Sequence, residues 1–310
     1  RISRAYTKKD KIAFSGYHGW CDWYLATNLG NKNNLKDHLL PGLSPMGIPN
    51  GLQGSAIPFK YNDVDDFQRI IKENPDIGTI IIEGARYEFP KKEFLDEIQK
   101  IANKKGILII SDEITSGWRI IDGGVFKVNG FKPDIVVYGK GLGNGYAISA
   151  VVGKKKIMDI AQDTFISSTF WTEKVGFVAA IKTIEILVRD KVWEHLNHIG
   201  DYIGNGWARL AAKHDLKIFV TEFKPLITMK FHYGKKNIIL ETLFMQEMLK
   251  RGYLSATSIY VSYAHTEEDV DNYLDNVNDV FKILSASLQS EEIKKYLDSN
   301  IREQGFKRLN

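Results

Sequence analysis

Apolar residues are arranged along the chain in two patterns, short continuous runs and longer stretches with helical spacing. The run from Ile77 to Glu83 is rich in β-branched residues and is bracketed by proline and glycine, which is typical of a strand buried on both faces. From Glu93 to Lys104 the apolar residues have helical spacing, and Gly106 stands where a C-terminal helix cap is expected. The run from Ile107 to Ile110 then predicts a second buried strand.

The short apolar pattern returns from Asp134 to Tyr138 and from Ser149 to Val152, with glycine-rich turns between the runs. Strand, helix and strand in succession predict a parallel sheet. The expected fold class is therefore α/β, with a mostly parallel central sheet and helices on both faces.

The pattern changes after Thr169, where amphipathic stretches predict long helices. These helices run from about Glu173 to Arg189 and from Val192 to His214. A small α+β unit is predicted next, with strands from Leu226 to His232 and from Ser258 to Ser262, and helices from about Leu240 to Arg251 and from Glu267 to about Leu284. We expect a large α/β domain over residues 1–190, a small C-terminal α+β domain over 191–286, and a polar helical tail over 287–310.

Composition narrows the class of protein. Hydrophobic residues make up 44% of the chain and charged residues 26%, a balance that is typical of a soluble globular protein and not of a disordered one. The net charge of +4 is spread without a block of like charge, which argues against a nucleic-acid partner. The longest apolar runs fall far short of the roughly 18 residues of a membrane span, and no signal peptide precedes them. The single cysteine, Cys21, rules out an intrachain disulfide and favours a reducing compartment, so we expect a cytoplasmic protein.

Three candidate chemical groups stand directly after buried strands, namely Glu83, Asp112 and Lys140. Ligands of open α/β sheets gather at the carboxyl ends of the strands, so these are the positions at which chemistry is expected. The glycines around Lys140 let a flat ligand approach closely. In a partly desolvated cleft the pKa of a lysine falls, and its neutral amine becomes nucleophilic toward an aldehyde.

Lys140 and Asp112 each have an ordinary structural explanation when they are considered alone. A lysine in a glycine-rich turn is typical of a solvated loop, and a strand-end carboxylate often caps a helix. The pair is more informative, because the two residues are 28 positions apart at the ends of what the pattern predicts to be neighbouring strands.

Four motifs are specific in combination: Tyr17-His18-Gly19-Trp20, the stretch from Asp112 to Arg119, the Gly139-Lys140 turn, and Ser168-Thr169-Phe170. In these motifs the chain resembles the class III aminotransferases of pyridoxal-phosphate fold type I, and within them the glutamate-1-semialdehyde 2,1-aminomutase-like branch. The resemblance runs from Arg4 to about Leu284. It implies that the large domain has the fold of a pyridoxal-phosphate (PLP)-dependent transferase, with pyridoxal 5'-phosphate as the cofactor.

The resemblance also implies roles for the residues of these motifs. Lys140 would form a Schiff base with the cofactor and carry protons, and Asp112 would pair with the protonated pyridine nitrogen, which keeps the ring an electron sink. Tyr17 resembles the aromatic residue that stacks on one face of the ring, and Ile114 the residue that packs on the other. Considered alone, Tyr17 could instead be a core aromatic residue.

Four further cofactor-binding positions are implied in the same way. His18 accompanies the stacking aromatic residue in family members, although an isolated histidine more often has a structural hydrogen bond. Glu88 matches a position near the ring's phenolic oxygen, and Glu83 matches a strand-end acid usually followed by proline, which Gly84 replaces here. Thr169 matches a threonine that reaches a phosphate in the neighbouring subunit, which implies a homodimer with shared active sites, but alone it would be a helix cap. No metal site is expected, because the histidines lack ligand spacing.

The chain departs from the family pattern in its N-terminal part. The family's loop that cradles the cofactor phosphate at a helix N-terminus is absent from this sequence, so the large domain is incomplete by that pattern. We expect residues upstream of Arg1 to supply this loop. Its absence keeps a second hypothesis open, in which the chain is a catalytically silent relative that acts as a structural or partner-binding subunit.

The reaction implied by the resemblance is that of a PLP-dependent transaminase or a glutamate-1-semialdehyde aminomutase-like enzyme. Its substrate would be a small amino or oxo molecule, such as a semialdehyde or a keto sugar. The stretch from Tyr263 to Asp269 resembles the aminomutase branch, whereas many class III aminotransferases carry an arginine there that grips the substrate carboxylate. The sequence does not choose between an aminomutase and an aminotransferase.

Overall fold

The computed structural model describes residues 1–38, 41–290 and 293–303, which divide into two compact units. The first unit contains residues 1–85 and 90–189 of the described chain, and the second contains 86–89 and 190–303. The predicted boundary between residues 190 and 191 is one position from the observed division. The grouping of residues 86–89 with the second unit has no counterpart in the sequence pattern.

The first unit is built on a sheet whose strands are Lys11–Ser15 (β1), Ala56–Pro58 (β2), Ile77–Glu83 (β3), Leu108–Asp112 (β4), Ile135–Tyr138 (β5) and Ala150–Gly153 (β6). Among the described residues their order is β2-β1-β3-β4-β5-β6. Neighbours from β2 to β5 are parallel, and β6 is antiparallel to β5. The predicted α/β class with a mostly parallel central sheet is confirmed.

The helices of the first unit are Ile2–Thr7 (α1), Asp22–Leu25 (α2), Val64–Glu73 (α3), Lys92–Lys105 (α4), Lys155–Met158 (α5) and Lys174–Arg189 (α6). Successive strand residues point to opposite faces of the sheet, so adjacent apolar residues of β3 serve different cores. Ile80 and Ile82 pack with the apolar residues of α3 and α4, whereas Ile81 packs with Tyr24 of α2. Ile157 of α5 also packs on strand residues. The prediction of helices on both faces is therefore confirmed.

The limits of these elements agree with the local chemistry of the chain. Gly106 has a φ of 65° and ends α4, as its position in the sequence predicts. At the start of α3, the side chain of Asp63 accepts a hydrogen bond from the amide of Asp66. The apolar pattern predicts neither β1 nor β2. Each contains at most three consecutive apolar residues, and both become strands because they pair with neighbours that are distant in sequence.

The second unit contains an antiparallel sheet in the order β7-β8-β9, formed by Ile218–Val220, Leu226–Phe231 and Ser258–Tyr260. Its helices are Val192–Lys213 (α7), Asn237–Lys250 (α8) and Glu267–Gln289 (α9). Trp207, Phe244 and Phe281, one from each helix, are fully buried. The predicted small α+β arrangement is confirmed.

The predicted helical tail over 287–310 is helical in only part of its described length. Residues 287–289 complete α9, a single 3-10 turn spans Ile293–Tyr296, and residues 297–303 contain no helix. Residues 291, 292 and 304–310 lie outside the described residues. The described tail is tied to α8, because Gln246 bonds to Tyr296 and Asp298, and Thr242 accepts from the amide of Arg302. In the described tail, contacts with α8 thus take the place of a continued helix.

A search for membrane-spanning segments covered the same described residues. Every helix there is too short or too polar to cross a bilayer.

We expect Gly200→Ala in α7 to lower the free energy of unfolding by about 2 kcal/mol, because the added Cβ would overlap the backbone carbonyl oxygen of Lys224. Alanine is otherwise better than glycine in a helix interior by about 1 kcal/mol. Asn205→Ala, on the exposed face of the same helix, is the matched control and should be neutral or slightly stabilising. Urea denaturation measures both. A Gly200→Ala protein as stable as the parent would contradict the close approach of Gly200 to the Lys224 backbone.

Candidate active site

The parallel strands of the first unit deliver their carboxyl ends to one edge of the sheet. Glu83, the last residue of β3, is in register with Asp112, the last residue of β4. Asp112 is in turn in register with Val137 of β5, three residues before Lys140. Ser15, the last residue of β1, pairs with Ile82 of β3. The loops that follow these strands therefore start from neighbouring points, as expected for the ligand-binding edge of an open α/β sheet.

Asp112 is buried and makes two hydrogen bonds. Its Oδ2 is 2.8 Å from Nδ1 of His18, and its Oδ1 accepts from the amide of Ile114 at 3.1 Å. The other ring nitrogen of His18, Nε2, is 3.2 Å from the carbonyl oxygen of Ser15. His18 therefore joins the end of β1 to the end of β4.

The two contacts of His18 fix the orientation of Asp112. Both side chains are buried, and the ring is bonded at Nδ1 to the carboxyl group and at Nε2 to a backbone carbonyl, so both ring nitrogens have partners in the interior.

The turn after β1 carries Tyr17 and His18. Its first residue, Gly16, has a φ of 106°, which is unfavourable for other residues, and a Cβ there would lie 2.7 Å from Cβ of Glu83. The amide of Tyr17 donates to Oε2 of Glu83 at 3.1 Å, and the hydroxyl of Tyr24 donates to the carbonyl of Gly16 at 3.1 Å. Glu83 thus holds the backbone of the turn, and the ring of Tyr17 packs on Tyr24.

Lys140 begins a 3-10 turn, Lys140–Leu142, directly after β5 and has a φ of 44°. Its Nζ donates to Oγ1 of Thr115 at 2.9 Å, and Thr115 is buried. Thr115 follows Asp112 by three residues, so one loop carries both the carboxylate and the hydroxyl that receives the amine. The sequence offers a weak signal for this contact, since Thr115 belongs to the Asp112 motif. The direction of the Thr115 side chain, however, depends on the path of the loop after β4.

Ile114 lies against the backbone that leads to Lys140. A Cβ added to Gly139 would be 3.5 Å from Cγ2 of Ile114, an ordinary van der Waals distance, which shows how close this side chain lies to the Gly139 backbone. The structure therefore gathers Tyr17, His18, Glu83, Asp112, Ile114 and Lys140 at or just after the carboxyl ends of β1, β3, β4 and β5, along one edge of the sheet.

Two further predicted site residues, Thr169 and Glu88, are exposed. Thr169 is exposed at the start of a 3-10 turn, Thr169–Thr172, in the first unit. Glu88 is exposed in the segment 86–89, which groups with the second unit, and its role near a cofactor stays a prediction. Among residues 1–38, 41–290 and 293–303, no group of three or more histidine, cysteine, aspartate or glutamate side chains could hold a metal ion.

Glu113, next to Asp112, is a second buried carboxyl that the sequence analysis did not single out. It accepts from the hydroxyls of Ser111 and Ser116 and from the amides of Val125 and Phe126, at 2.5 to 3.2 Å. Burial raises the pKa of Glu113, against the opposing effect of these donors. Glu113 therefore anchors the loop over 122–126, whereas Asp112 faces His18.

The comparisons with known proteins give the family of this chain. The model of the class III aminotransferases matches residues 1–232. The chain is 34% identical over 282 residues to the 3-aminobutyryl-CoA aminotransferase of Cloacimonas acidaminovorans (strain Evry), covering 87% of this chain and 64% of that protein. It is 31% identical over 301 residues to the glutamate-1-semialdehyde 2,1-aminomutase of Nitrosopumilus maritimus (strain SCM1), covering 89% and 69%. The chain belongs to the class III aminotransferase family, and it spans about two thirds of the length of these relatives.

Solved structures with the same fold include the Sphingopyxis sp. MTA144 FumI protein in its PLP internal aldimine form. Its TM-score with this chain is 0.82 at 23% identity, covering 96% of this chain and 70% of that one. An omega-transaminase from Sphaerobacter thermophilus has a TM-score of 0.81 at 20% identity, covering 91% and 70%. These likenesses confirm the fold type I architecture that the motifs imply.

We expect Glu113→Leu to lower the free energy of unfolding by about 3 kcal/mol, because it leaves the buried amides of Val125 and Phe126 without their acceptor. Asp122→Ala, which removes an exposed ion pair with Lys127 in the same loop, is the control and should change it by less than about 1 kcal/mol. Chemical denaturation compares the variants. Equal losses in both would contradict the anchoring role of Glu113.

The difference in the free energy of unfolding between the parent and Glu113→Leu should change with pH in one direction. Because the pKa of Glu113 is raised above its ordinary value of 4.5, folding favours the protonated form. The stabilisation by Glu113 is fully present below pH 4.5 and is lost as the pH rises through the raised pKa of Glu113 in the folded protein. The gap between the parent and Glu113→Leu should therefore be widest at acid pH.

Proposed function

We propose that the protein is a PLP-dependent aminotransferase or aminomutase that acts on a small amino or oxo molecule, with Lys140 as the cofactor-binding lysine. The observation that carries this proposal is the placement of a lysine amine and a buried carboxylate after adjacent parallel strands, β5 and β4. Membership of the class III aminotransferase family supports the same reaction class. Because the chain spans 64% of one relative and 69% of another, activity and substrate remain proposals.

The residues present fit PLP in two respects. The cofactor has a basic pyridine nitrogen, and Asp112 is a buried carboxylate already held by His18 and the Ile114 amide, so its charge is available in a fixed direction. It also has an aldehyde, for which the amine of Lys140 is the matching nucleophile. When bound, PLP supplies an electron-withdrawing ring that stabilises negative charge on the substrate carbon.

Lys140 is proposed to act on protons at the substrate carbon next to nitrogen. Its Nζ is 2.9 Å from the hydroxyl of Thr115, which gives the amine a defined resting position when it is not bonded to the cofactor. Thr115 is thus a positioning residue in this proposal. A lysine held this way can serve as a general base and then as a general acid, provided that it carries one proton fewer than the ammonium form.

His18 is proposed to act through Asp112. Its two ring nitrogens bond to Asp112 and to the carbonyl of Ser15, so the carboxylate is oriented by a ring that is itself anchored to β1. Tyr17 and Ile114 are proposed to flank the cofactor ring. Glu83 contributes by holding the Tyr17 backbone, and this contact differs from the direct cofactor contact that the resemblance implied.

The relatives favour a reaction on a small substrate with an amino or oxo group, by their names alone. One is an aminotransferase of 3-aminobutyryl-CoA, and the other is an aminomutase of glutamate 1-semialdehyde. In both, nitrogen is exchanged with a carbonyl group, so the shared chemistry is proton movement next to a nitrogen-bearing carbon. Whether the enzyme is an aminotransferase or an aminomutase depends on substrate contacts outside the cluster described above.

A homodimer with shared active sites is proposed as the working form. Thr169 is exposed, and so are its neighbours Phe170 and Trp171. On α6 the apolar residues Val178 and Ile181 are also exposed, with 64% and 60% of their surface accessible. Contiguous exposed apolar residues are typical of a protein interface. A second copy of this chain, with Thr169 reaching its neighbour's cofactor, accounts for both observations.

We expect Lys140→Ala to abolish covalent attachment of PLP, since it removes the amine that reacts with the aldehyde. The purified protein is incubated with PLP, reduced with borohydride and mapped by mass spectrometry, and the parent should carry the adduct on Lys140. Lys155→Ala, which alters an exposed lysine paired with Asp159, should keep the adduct. A parent protein without an adduct, or an unchanged adduct level in Lys140→Ala, would instead favour the catalytically silent subunit.

We expect Ile181→Glu to shift the protein from dimer to monomer, because it places a charge in the proposed apolar interface. Lys72→Glu reverses a charge at an exposed position of α3, away from the proposed interface residues of α6, and should leave the dimer intact. Size-exclusion chromatography with light scattering gives the mass of each. A monomeric parent that binds PLP tightly would refute the shared site.

A further inference from the structure

His38 is a partly buried histidine that none of the roles above includes. Its Nδ1 accepts a hydrogen bond from the amide of Gly16 at 3.3 Å, and its ring lies 5.5 Å from the ring of Phe14, centroid to centroid. Gly16 is the first residue of the turn that carries Tyr17 and His18. His38 therefore contacts the candidate site from a segment that is 22 residues away in sequence.

The amide of Gly16 has little freedom to find another acceptor. Its φ of 106° places the residue in a conformation that glycine alone adopts readily, and its Cα packs against Glu83. Its carbonyl already accepts from Tyr24, and the next amide, that of Tyr17, donates to Glu83. His38 supplies the acceptor that completes the hydrogen bonding of this turn.

His38 is held in place by its own segment. The buried side chain of Asn28 donates to the carbonyl of Leu43 and accepts from the amide of Leu35, and the side chain of Asn34 donates to the carbonyl of Thr27. Leu35 is fully buried three residues before His38. The segment that presents His38 is therefore held by hydrogen bonds and packing of its own, in addition to the bond from Gly16.

The electrostatic surroundings keep His38 able to accept. The pKa of His38 is lowered to about 4, chiefly by burial and also by the charge of His18, against the opposing effect of Asp37 and Asp66. The ring is then neutral near physiological pH, and its unprotonated Nδ1 faces the Gly16 amide. His18 bonds to a carboxyl group and a backbone carbonyl, whereas His38 accepts from a backbone amide, so the two histidines hold the turn through different contacts.

We propose that His38 is a positioning residue of the active site, whose neutral ring accepts from Gly16 and thereby fixes the turn that presents Tyr17 and His18 to the cofactor. The importance for catalysis rests on the proposed PLP-dependent function, but the hydrogen bond and its effect on the turn do not. The specific claim is that the acceptor at Nδ1 matters, beyond the packing of the ring on Phe14.

A matched pair of variants separates the acceptor from the packing. His38→Asn keeps an oxygen acceptor close to the position of Nδ1 but loses most of the ring, whereas His38→Phe keeps the ring and loses the acceptor. His214→Phe, which alters a histidine bonded to Asn278 in the second unit, controls for the loss of a histidine in general. The parent protein is also studied by ¹⁵N NMR, so the test does not depend on any variant folding.

The first readout needs no cofactor. In the parent, the ¹⁵N shifts of His38 should show a neutral ring with the proton on Nε2. Hydrogen exchange at the Gly16 amide should be about tenfold faster in His38→Phe than in the parent, and close to the parent rate in His38→Asn and His214→Phe. A proton on Nδ1 of His38, or unchanged Gly16 exchange in His38→Phe, would overturn the proposal.

The second readout is the affinity for PLP, measured by absorbance titration. His38→Phe should bind about fivefold to tenfold more weakly, and His38→Asn should recover most of the parent affinity. Equal weakening in both variants would overturn the role of the acceptor in favour of packing. If the parent binds no PLP, the proposed function fails, while the ring protonation and Gly16 exchange still decide whether His38 holds the turn.

Discussion

The hydrogen bond between His18 and Asp112 is the interaction on which the candidate site depends. A carboxyl group at the end of a buried strand loses most of its hydration, so its burial is costly without a hydrogen-bonding partner. His18 supplies the partner and is in turn fixed by the carbonyl of Ser15. Ser15 ends β1, His18 lies in the turn that follows β1, and Asp112 ends β4. The site therefore cannot form before these strands have taken their places in the sheet.

The sheet explains why residues distant in sequence share this edge. Parallel strands all end on the same side, and β1, β3, β4 and β5 are parallel neighbours. Where β4 ends, two successive carboxyl groups have different partners. Asp112 faces His18, whereas Glu113 turns to Ser111, Ser116 and the loop over 122–126. Two successive carboxyls thus have separate duties, one in the site and one in the framework beneath it.

The sequence predicts those features that depend on long or strongly periodic patterns. The strand β3, with seven buried residues, and the helices α4 and α7 follow from apolar spacing alone. The clustering of Asp112 and Lys140 at one edge follows from the strand order that the pattern implies. Short elements such as β1 and β2 do not, because their pairing with distant neighbours defines them more than their composition does.

Other parts of the site could not be predicted because they depend on the paths of loops. Thr115 reaches Lys140 only because of the turn after β4, and the position of His38 is set by the hydrogen bonds of Asn28 in a segment without periodicity. Glu88 groups with the second unit, which no periodic pattern of the sequence indicates, and its role near a cofactor stays a prediction.

The strand β6 has a consequence for how the polypeptide behaves in solution. It ends the sheet among the described residues, and Val151 and Val152 are exposed along it without a proline between Ala150 and Gly153. An apolar edge of this kind offers unpaired backbone groups to any extended chain, so polypeptide left uncovered there tends to associate by strand addition. The tendency of the protein to aggregate during expression and concentration will therefore depend on what covers the β6 edge of the sheet.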